Sequence, residues 1–257
     1  MIEAKALDYR IGEADILHGV DVRVGRGEFF GIIGPNGSGK STLLKLLSGI
    51  ERPLRGEISL GGRTLDGYSR KELARLLAVL QQDALPPLGY TVREVVEMGR
   101  FPYQSWLGGE KTDPAQLIDK IMEELDLARL SSRPVAELSG GERQRAALAK
   151  TLVQEPVVLM LDEPTTFLDI GFQLQMMDYI RVWQRDNGLT VVAVLHDLNL
   201  AAQYCDRLLV LHEGRAAAVG APGEVLVPKL VREVYGTEPI VLPHPDSGVP
   251  QILLRGR

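Results

Sequence analysis

Residues 34–42 read GPNGSGKST and fit the pattern G-x-x-x-x-G-K-[ST]. Gly34, Gly37 and Gly39 let the backbone come close to a ligand. Together with Pro35, Asn36 and Ser38 they make a loop whose N–H groups can turn toward a chain of phosphates. Lys40 would reach the outer phosphates, and Ser41 would set its hydroxyl on Mg²⁺ with Thr42 alongside. The chemistry is that of a phosphate cradle for a nucleotide such as ATP.

A cradle of this kind needs an acid from elsewhere in the chain. The run PVVLMLDE (156–163) is apolar until Asp162 and Glu163, as a strand buried on both faces should be. The end of such a strand is where an open α/β sheet places its ligands. Asp162 would hold Mg²⁺ through water, and Glu163 could polarise an attacking water. His196 follows VVAVL as Asp162 follows VVLML, so it could orient water or the γ-phosphate. Gln82 closes LLAVLQQ in the same way. A glutamine there can sense Mg²⁺ and γ-phosphate, with Gln81 as the plain alternative. The metal-side set is therefore Ser41, Gln82 and Asp162, and the catalytic set is Glu163, His196 and Gln82.

A second grip stands in LSGGERQRAALAK (138–150). Ser139, Gly140 and Gly141 open a helical pattern, with Glu142 in its first turn. Small residues at a helix start expose N–H groups to an anion. This grip has no lysine and no partner acid, so it cannot hold a nucleotide alone. It can give a helix N-terminus and the Ser139 hydroxyl to a γ-phosphate held elsewhere. Either one long loop folds back onto the first grip, or the second grip serves another copy of the chain in a head-to-tail dimer. Residue chemistry alone leaves both open.

The elements that must position these residues are legible in outline. EFFGIIG (28–34) reads as a strand, and KSTLLKLLSG as a helix with Leu43, Leu44, Leu46 and Leu47 on one stripe and Gly49 as its stop. The segments before RGEFF and at 57–65 read as short strands of a small antiparallel sheet. From 83 to about 137 the texture turns helical. DALPPLGY breaks the chain, Thr91 caps TVREVVEMGRF, and Asp113-Pro114 opens a helix carrying Leu117, Ile118, Ile121, Met122 and Leu125. LTVVAVLHD (189–197) is a further buried strand. Phe172, Met176, Met177, Ile180 and Trp183 give an apolar helical face that stops at Asn187-Gly188, and 207–220 is a hairpin turning at Glu213-Gly214. Alternating strands and helices imply a parallel sheet with helices on both faces. The tail after 225 is mixed and rich in proline.

Bulk properties narrow the class. The chain has 257 residues, 45% hydrophobic and 25% charged, which suits an ordinary soluble globule. A net charge of −5 gives no general attraction to nucleic acid or anionic lipid. One cysteine, Cys205, rules out an internal disulfide and fits a reducing compartment. No run approaches the ~18 apolar residues of a membrane span, and the first residues lack a secretory pattern.

LSGGERQR resembles the signature motif of ATP-binding cassette (ABC) proteins. The other motifs follow that family's order: Walker A at 34–42, Q-loop Gln82, Walker B ending at Asp162, catalytic Glu163, a D-loop FLD ending at Asp169 and switch His196. The resemblance covers nearly the whole chain. It implies an α/β P-loop NTPase core with a mostly parallel sheet and a small antiparallel β subdomain (1–82 and 150–257). A helical subdomain carrying the signature (83–149) would be inserted in it. It also implies two cassettes sandwiching two ATP molecules with Mg²⁺, each between the Walker A of one and the signature of the other. One departure stands out. Cassettes of this family place an adenine-stacking aromatic where this chain has Ile11; Tyr9, two residues earlier on the same strand face, is the candidate substitute, with simple packing as the alternative.

The phrases LLAVLQQ, GYTVREVVEMGRFPY, DEPTTFLDI and VVAVLHDLNLAAQYCDRLLVLHEGR resemble the ferric-siderophore, haem and cobalamin uptake branch. That implies a peripheral subunit on the cytoplasmic face of the membrane. It would dock on a separate permease through its helical subdomain and serve a substrate-binding protein indirectly. Phe101, Pro102, Tyr103 and Trp106 are the docking candidates, with filling of the subdomain core as the alternative. Nucleic-acid machines of the family carry two cassettes or a long coiled-coil insert, and many exporters are fused to membrane spans. This sequence has none of these.

Overall fold

A computed structural model describes residues 1–81, 85, 89–105, 109–110, 113–166 and 168–254. The strands and helices, in chain order, are β1 (Ile2–Ile11), β2 (Ala14–Val24), β3 (Phe29–Ile33), α1 (Lys40–Leu47), β4 (Arg55–Leu60), β5 (Arg63–Thr64), α2 (Arg70–Leu76), β6 (Leu77–Leu80), α3 (Val92–Glu97), α4 (Ala115–Glu124), α5 (Gly140–Leu152), β7 (Val158–Asp162), α6 (Ile170–Asn187), β8 (Thr190–Val194), α7 (Leu198–Tyr204), β9 (Arg207–His212), β10 (Arg215–Gly220), α8 (Pro222–Val225), α9 (Pro228–Tyr235), β11 (Pro239–Pro243) and β12 (Pro250–Leu254). They fall into two compact units, 1–67 with 190–257 and 68–189. Among the described residues no helix is long and apolar enough to cross a membrane.

The first unit holds strands of two larger sheets and a two-stranded ribbon, β11-β12. β2-β1-β4-β5 is antiparallel, as the sequence suggested, and splits the 57–65 segment at Gly61-Gly62 into β4 and β5. In the other sheet β3 lies between β8 and β9, parallel to both, and β10 adds an antiparallel edge to β9. Every residue of β3 and β8 is buried, which is why both runs are apolar without alternation. Leu43, Leu44, Leu46 and Leu47 of α1 are buried with them. The β9–β10 turn has Glu213 at φ 46 and Gly214 at φ 72, and Gly214 accepts the His18 N–H at 2.9 Å, tying the hairpin to β2. The proline-rich tail is ordered: α9 is followed by a β11–β12 hairpin running from Pro239↔Leu254 to Pro243↔Pro250. Prolines are tolerated there because a two-stranded ribbon consists only of edges.

In the second unit β6 and β7 pair in parallel, from Leu77↔Val158 to Leu80↔Leu161. The described part of the 83–137 block is helical. Thr91 caps α3 in a capping box with Glu94. The α-helix ends at Glu97 and tightens to a 3₁₀ turn over Met98–Tyr103, since Pro102 has no N–H to continue an α ladder. Asp113 Oδ1 accepts the Ala115 N–H at 3.0 Å at the start of α4. Arg100 is buried beside α5 and pairs with Glu110 and with Glu155, the latter at 2.7 Å. Its guanidinium lies 4.0 Å from the centre of the Tyr103 ring, whose hydroxyl donates to the Gln154 carbonyl.

The close approach of this 3₁₀ turn to α5 depends on Gly99. A Cβ there would stand 2.1 Å from the Lys150 carbonyl oxygen and 2.5 Å from Val153 Cγ2. Gly99→Ala is expected to cost about 1–3 kcal/mol of stability, whereas Gly109→Ala, with open space around the added carbon, should be near neutral. Urea unfolding midpoints of the two variants check this.

Candidate functional site

The first unit brings the P-loop and His196 to one end of its parallel sheet. Gly34 follows β3 directly, and the chain leaving the neighbouring β8 is held beside it by the Leu195 N–H, which donates to Ile32 at 3.1 Å. His196 is exposed at that strand end, so both leave adjacent strands on the same side. Gly34, Gly37 and Gly39 have φ of 150, 77 and 99, values that side chains rarely adopt. At Gly34 a Cβ would also lie 2.0 Å from the Leu211 carbonyl oxygen. The loop therefore tolerates no side chain at its start.

Pro35, Asn36, Ser38, Ser41 and Thr42 complete the loop and the first turn of α1. Gly39 caps that helix without a side-chain bond, leaving the N-terminus to a ligand. Lys40 is 5% exposed and its ammonium donates to the Gly34 and Pro35 carbonyls, both at 2.9 Å. It is thus curled over the loop, where its charge faces the cradle. Ser38 Oγ is buried with no hydrogen-bond partner, a costly state that an incoming phosphate oxygen would relieve. Glycines, cation, orphaned hydroxyl and helix N-terminus all fit a nucleotide phosphate chain. Ser41 in this unit and Asp162 in the other each offer the hard oxygen that Mg²⁺ prefers.

Tyr9 and Ile11 separate clearly. Ile11 is 57% exposed at the β1–β2 turn. Tyr9 is half-buried, and burial together with the Glu51 carboxylate, which its hydroxyl bonds, raises its pKa.

The second unit holds the other residues. β7 ends at half-buried Asp162, and Glu163 then takes φ 53. A left-handed glutamate is an uncommon, strained conformation of the sort that collects at working sites. It turns the chain sharply, and Thr166 Oγ1 donates to the Glu163 carboxylate at 3.2 Å. Ser139 caps α5: its Oγ accepts the Glu142 N–H at 3.3 Å, and its own N–H donates to the Glu142 carboxylate at 2.8 Å. The hydroxyl thus accepts from the Glu142 N–H and also lies against the Glu142 carboxylate, which holds the residue at the helix start. Ser139 and Gly140 are exposed. Gly141 faces Phe172, with an added Cβ only 3.3 Å from the ring.

Phe172 is thus a correction to the apolar face read for α6. It is 40% exposed, while Met176, Met177 and Ile180 are buried and Trp183 is half-buried, donating to Glu124. The reason is that the first turn of α6 runs along the signature helix rather than over the core; Arg145 lies 5.6 Å from the Phe172 ring. Sequence reading also missed Gln144, whose amide donates to the Pro164 carbonyl at 3.1 Å and so joins α5 to the turn after Glu163. Its spacing within ERQR carries no periodic signal that would mark it. Asp169 caps α6 through the Phe172 N–H at 3.0 Å. Gln82, Phe167 and Trp106 lie outside the described residues.

The family model described as ABC transporter matches residues 17–166, from the strand before the P-loop to the turn after Glu163. The chain belongs to the ABC transporter family. It is an ATP-binding cassette, an ATPase that serves transport. Among its relatives, the hemin import ATP-binding protein HmuV of Rhodopseudomonas palustris (strain BisB18) is 43% identical over 98% of this chain and 94% of its own length. The ferric enterobactin transport ATP-binding protein FepC of Escherichia coli (strain K12) is 37% identical over 100% and 94%. The chain spans 58% of YvrA of Bacillus subtilis (strain 168), an ABC transporter ATP-binding protein 39% identical to it. The dimeric structure of the bacterial cassette MJ0796 matches with a TM-score of 0.75 at 27% identity, covering 86% of this chain and 98% of that one.

The Ser139–Glu142 cap carries a pH dependence. The Ser139 N–H, and then its hydroxyl, hold the Glu142 carboxyl below its ordinary 4.5. A lowered folded-state pKa means that the stabilisation is present above about pH 4.5 and is lost as pH falls through the folded value. Glu142→Gln should lower the urea midpoint at pH 7 by about 0.5–1 kcal/mol equivalent. The gap from the parent should close below pH 4.5 in a series of midpoints from pH 7 to 3.

Proposed function

We propose that the chain is the ATP-hydrolysing subunit of an importer that takes up an iron(III) chelate through a separate permease. The observation that carries this reading is the pair of unequal grips. One unit has a complete P-loop with Lys40. The other has a capped, glycine-opened helix that starts at an exposed Ser139, with no P-loop lysine in its motif. Two such chains, head to tail, would each close the other's nucleotide site.

In this reading Lys40 leaves the Gly34 and Pro35 carbonyls for the outer phosphates, and Ser38 and the N–H groups of 37–42 line the chain of phosphates. Mg²⁺, when bound, would neutralise charge on the β- and γ-phosphates. Ser41 and Asp162 would hold it, Asp162 through water, with Gln82 as its sensor. Glu163 accepts a hydrogen bond from the attacking water and aligns it; His196 orients the γ-phosphate. Ser139, with Gly140 and Gly141, donates from the partner copy, and Glu142 keeps Ser139 in place. The division into a nucleotide-binding core, 1–82 with 150–257, and a helical insert, 83–149, belongs to the same reading.

The insert would dock the permease at the cytoplasmic face of the membrane. Support comes from a groove lined by Lys71, Arg75, Tyr103, Gln104 and Asp113, and from Phe101, which is 58% exposed. Tyr103 is held by Arg100 and Gln154, so it shapes the groove rather than projecting from it. The iron-chelate assignment rests on the relatives named for ferric enterobactin and hemin. Haem is the second reading, favoured by the higher identity of the hemin relative.

Glu163→Gln keeps the side chain's shape and removes the base. It should bind Mg-ATP and elute from size-exclusion columns as an ATP-dependent dimer, with turnover at least ~10²-fold down. Lys40→Ala should bind ATP at best weakly and stay monomeric, having lost a charge-assisted contact. Near-normal hydrolysis by Glu163→Gln without a dimer would reassign the base.

The cargo is read by deleting the gene and growing the strain on ferric siderophores, haem or cobalamin as sole source. Loss on ferric siderophores alone is expected; loss on haem alone would move the assignment to the second reading.

A further inference from the structure

The C-terminal segment is the part of the chain that the nucleotide chemistry leaves unused, yet it touches the site unit at two points. α9 buries Val231 and Val234, and they line a small cavity with Ile33, Val210, Leu226 and Tyr235. This sets the helix against the ends of β3 and β9, under the start of the P-loop. Tyr235 lines that cavity beside Ile33, the residue before Gly34, and its hydroxyl is turned toward the Gly34 N–H. Burial pushes this phenol up to about 12, so it remains neutral across the physiological range.

The second point lies on the His196 side. Asp197 caps α7 through the Asn199 and Leu200 N–H groups. The Asn199 side chain then holds both backbone groups of Ile252 in β12, accepting its N–H at 2.7 Å and donating to its carbonyl at 3.4 Å. An amide that fills its donor and acceptor on one residue fixes both distance and rotation. The turn carrying His196 is therefore tied to the β11–β12 hairpin, and the P-loop to α9, by one continuous stretch of chain.

We propose that residues 228–254 are a strap that positions the nucleotide site, with Tyr235 setting the first glycine of the P-loop and Asn199 setting the turn of His196. Both are positioning residues, acting through Gly34 and His196. The proposal rests on the reading of those two as nucleotide-binding and catalytic.

The test separates binding from turnover in the purified full chain. Tyr235→Phe keeps the ring packed beside Ile33 and removes only the hydroxyl that faces Gly34, so the Kd for Mg-ATP should rise roughly 2- to 10-fold, the range for one lost polar contact. Asn199→Ala should lower kcat roughly 2- to 10-fold with Kd within about twofold of the parent. Asn199→Asp, which keeps the acceptor for the Ile252 N–H, should recover part of that loss. A purely structural strap would lower Tm in all three and leave Kd and kcat at parental values, which would overturn the proposal. If Asn199→Ala fails to fold, the Asn199→Asp and Tyr235→Phe values decide. Lys40→Ala serves as the reference. Unchanged ATP affinity there would overturn the P-loop reading itself, whereas unchanged affinity in Tyr235→Phe alone overturns only the strap.

Discussion

β3 is hydrogen-bonded along both edges, to β8 and to β9, and every one of its residues is buried. A strand pinned on two sides cannot slip in register without exposing apolar side chains and breaking two ladders. Its C-terminal end is therefore a fixed point. The P-loop starts there, and because parallel strands end on the same side, the turn bearing His196 leaves β8 next to it. The loop itself needs freedom that only glycine supplies, but its anchorage comes from the most rigid part of the first unit.

The second unit solves a different problem with similar means. A helix start exposes N–H groups that must find partners. At α5 the Ser139–Glu142 box satisfies part of this requirement internally and still leaves an exposed serine and two small glycines. Gly141 is small for a second reason, since Phe172 packs against it. Gln144 ties the same helix to Pro164, one residue beyond the strained Glu163. The start of α5, the turn at Glu163 and the start of α6 thus form one cluster. A displacement of any of them would be felt by the others, as expected where packed side chains have few alternative arrangements.

The 3₁₀ turn at Met98–Tyr103 follows the same economy. Arg100, nearly buried, is held by two carboxylates and stacked on Tyr103. The pairing offsets part of the desolvation of this guanidinium and ties the 3₁₀ turn to Glu110, Glu155 and the Val153 carbonyl, while Phe101 stays exposed.

The local elements of this protein and the pattern of its P-loop were written in its sequence. The P-loop pattern, the acids after VVLML, the Thr91 cap and the leucine stripe of α1 are short-range signals, set by backbone geometry and periodicity within a few residues. So was the Glu213-Gly214 turn. Other facts needed the tertiary structure because they join residues far apart in the chain. Phe172 fits a helical stripe, but only packing reveals that its turn of α6 faces α5 instead of the core. Tyr235 and Asn199 carry no motif, and their roles arise from contacts with Gly34 and Ile252 that no local pattern encodes. The tail read only as mixed and rich in proline; prolines are out of place in central strands, yet the two-stranded β11–β12 hairpin accepts them. Sequence reports what each segment can be. Which polar group finds which distant partner is decided only when the core closes.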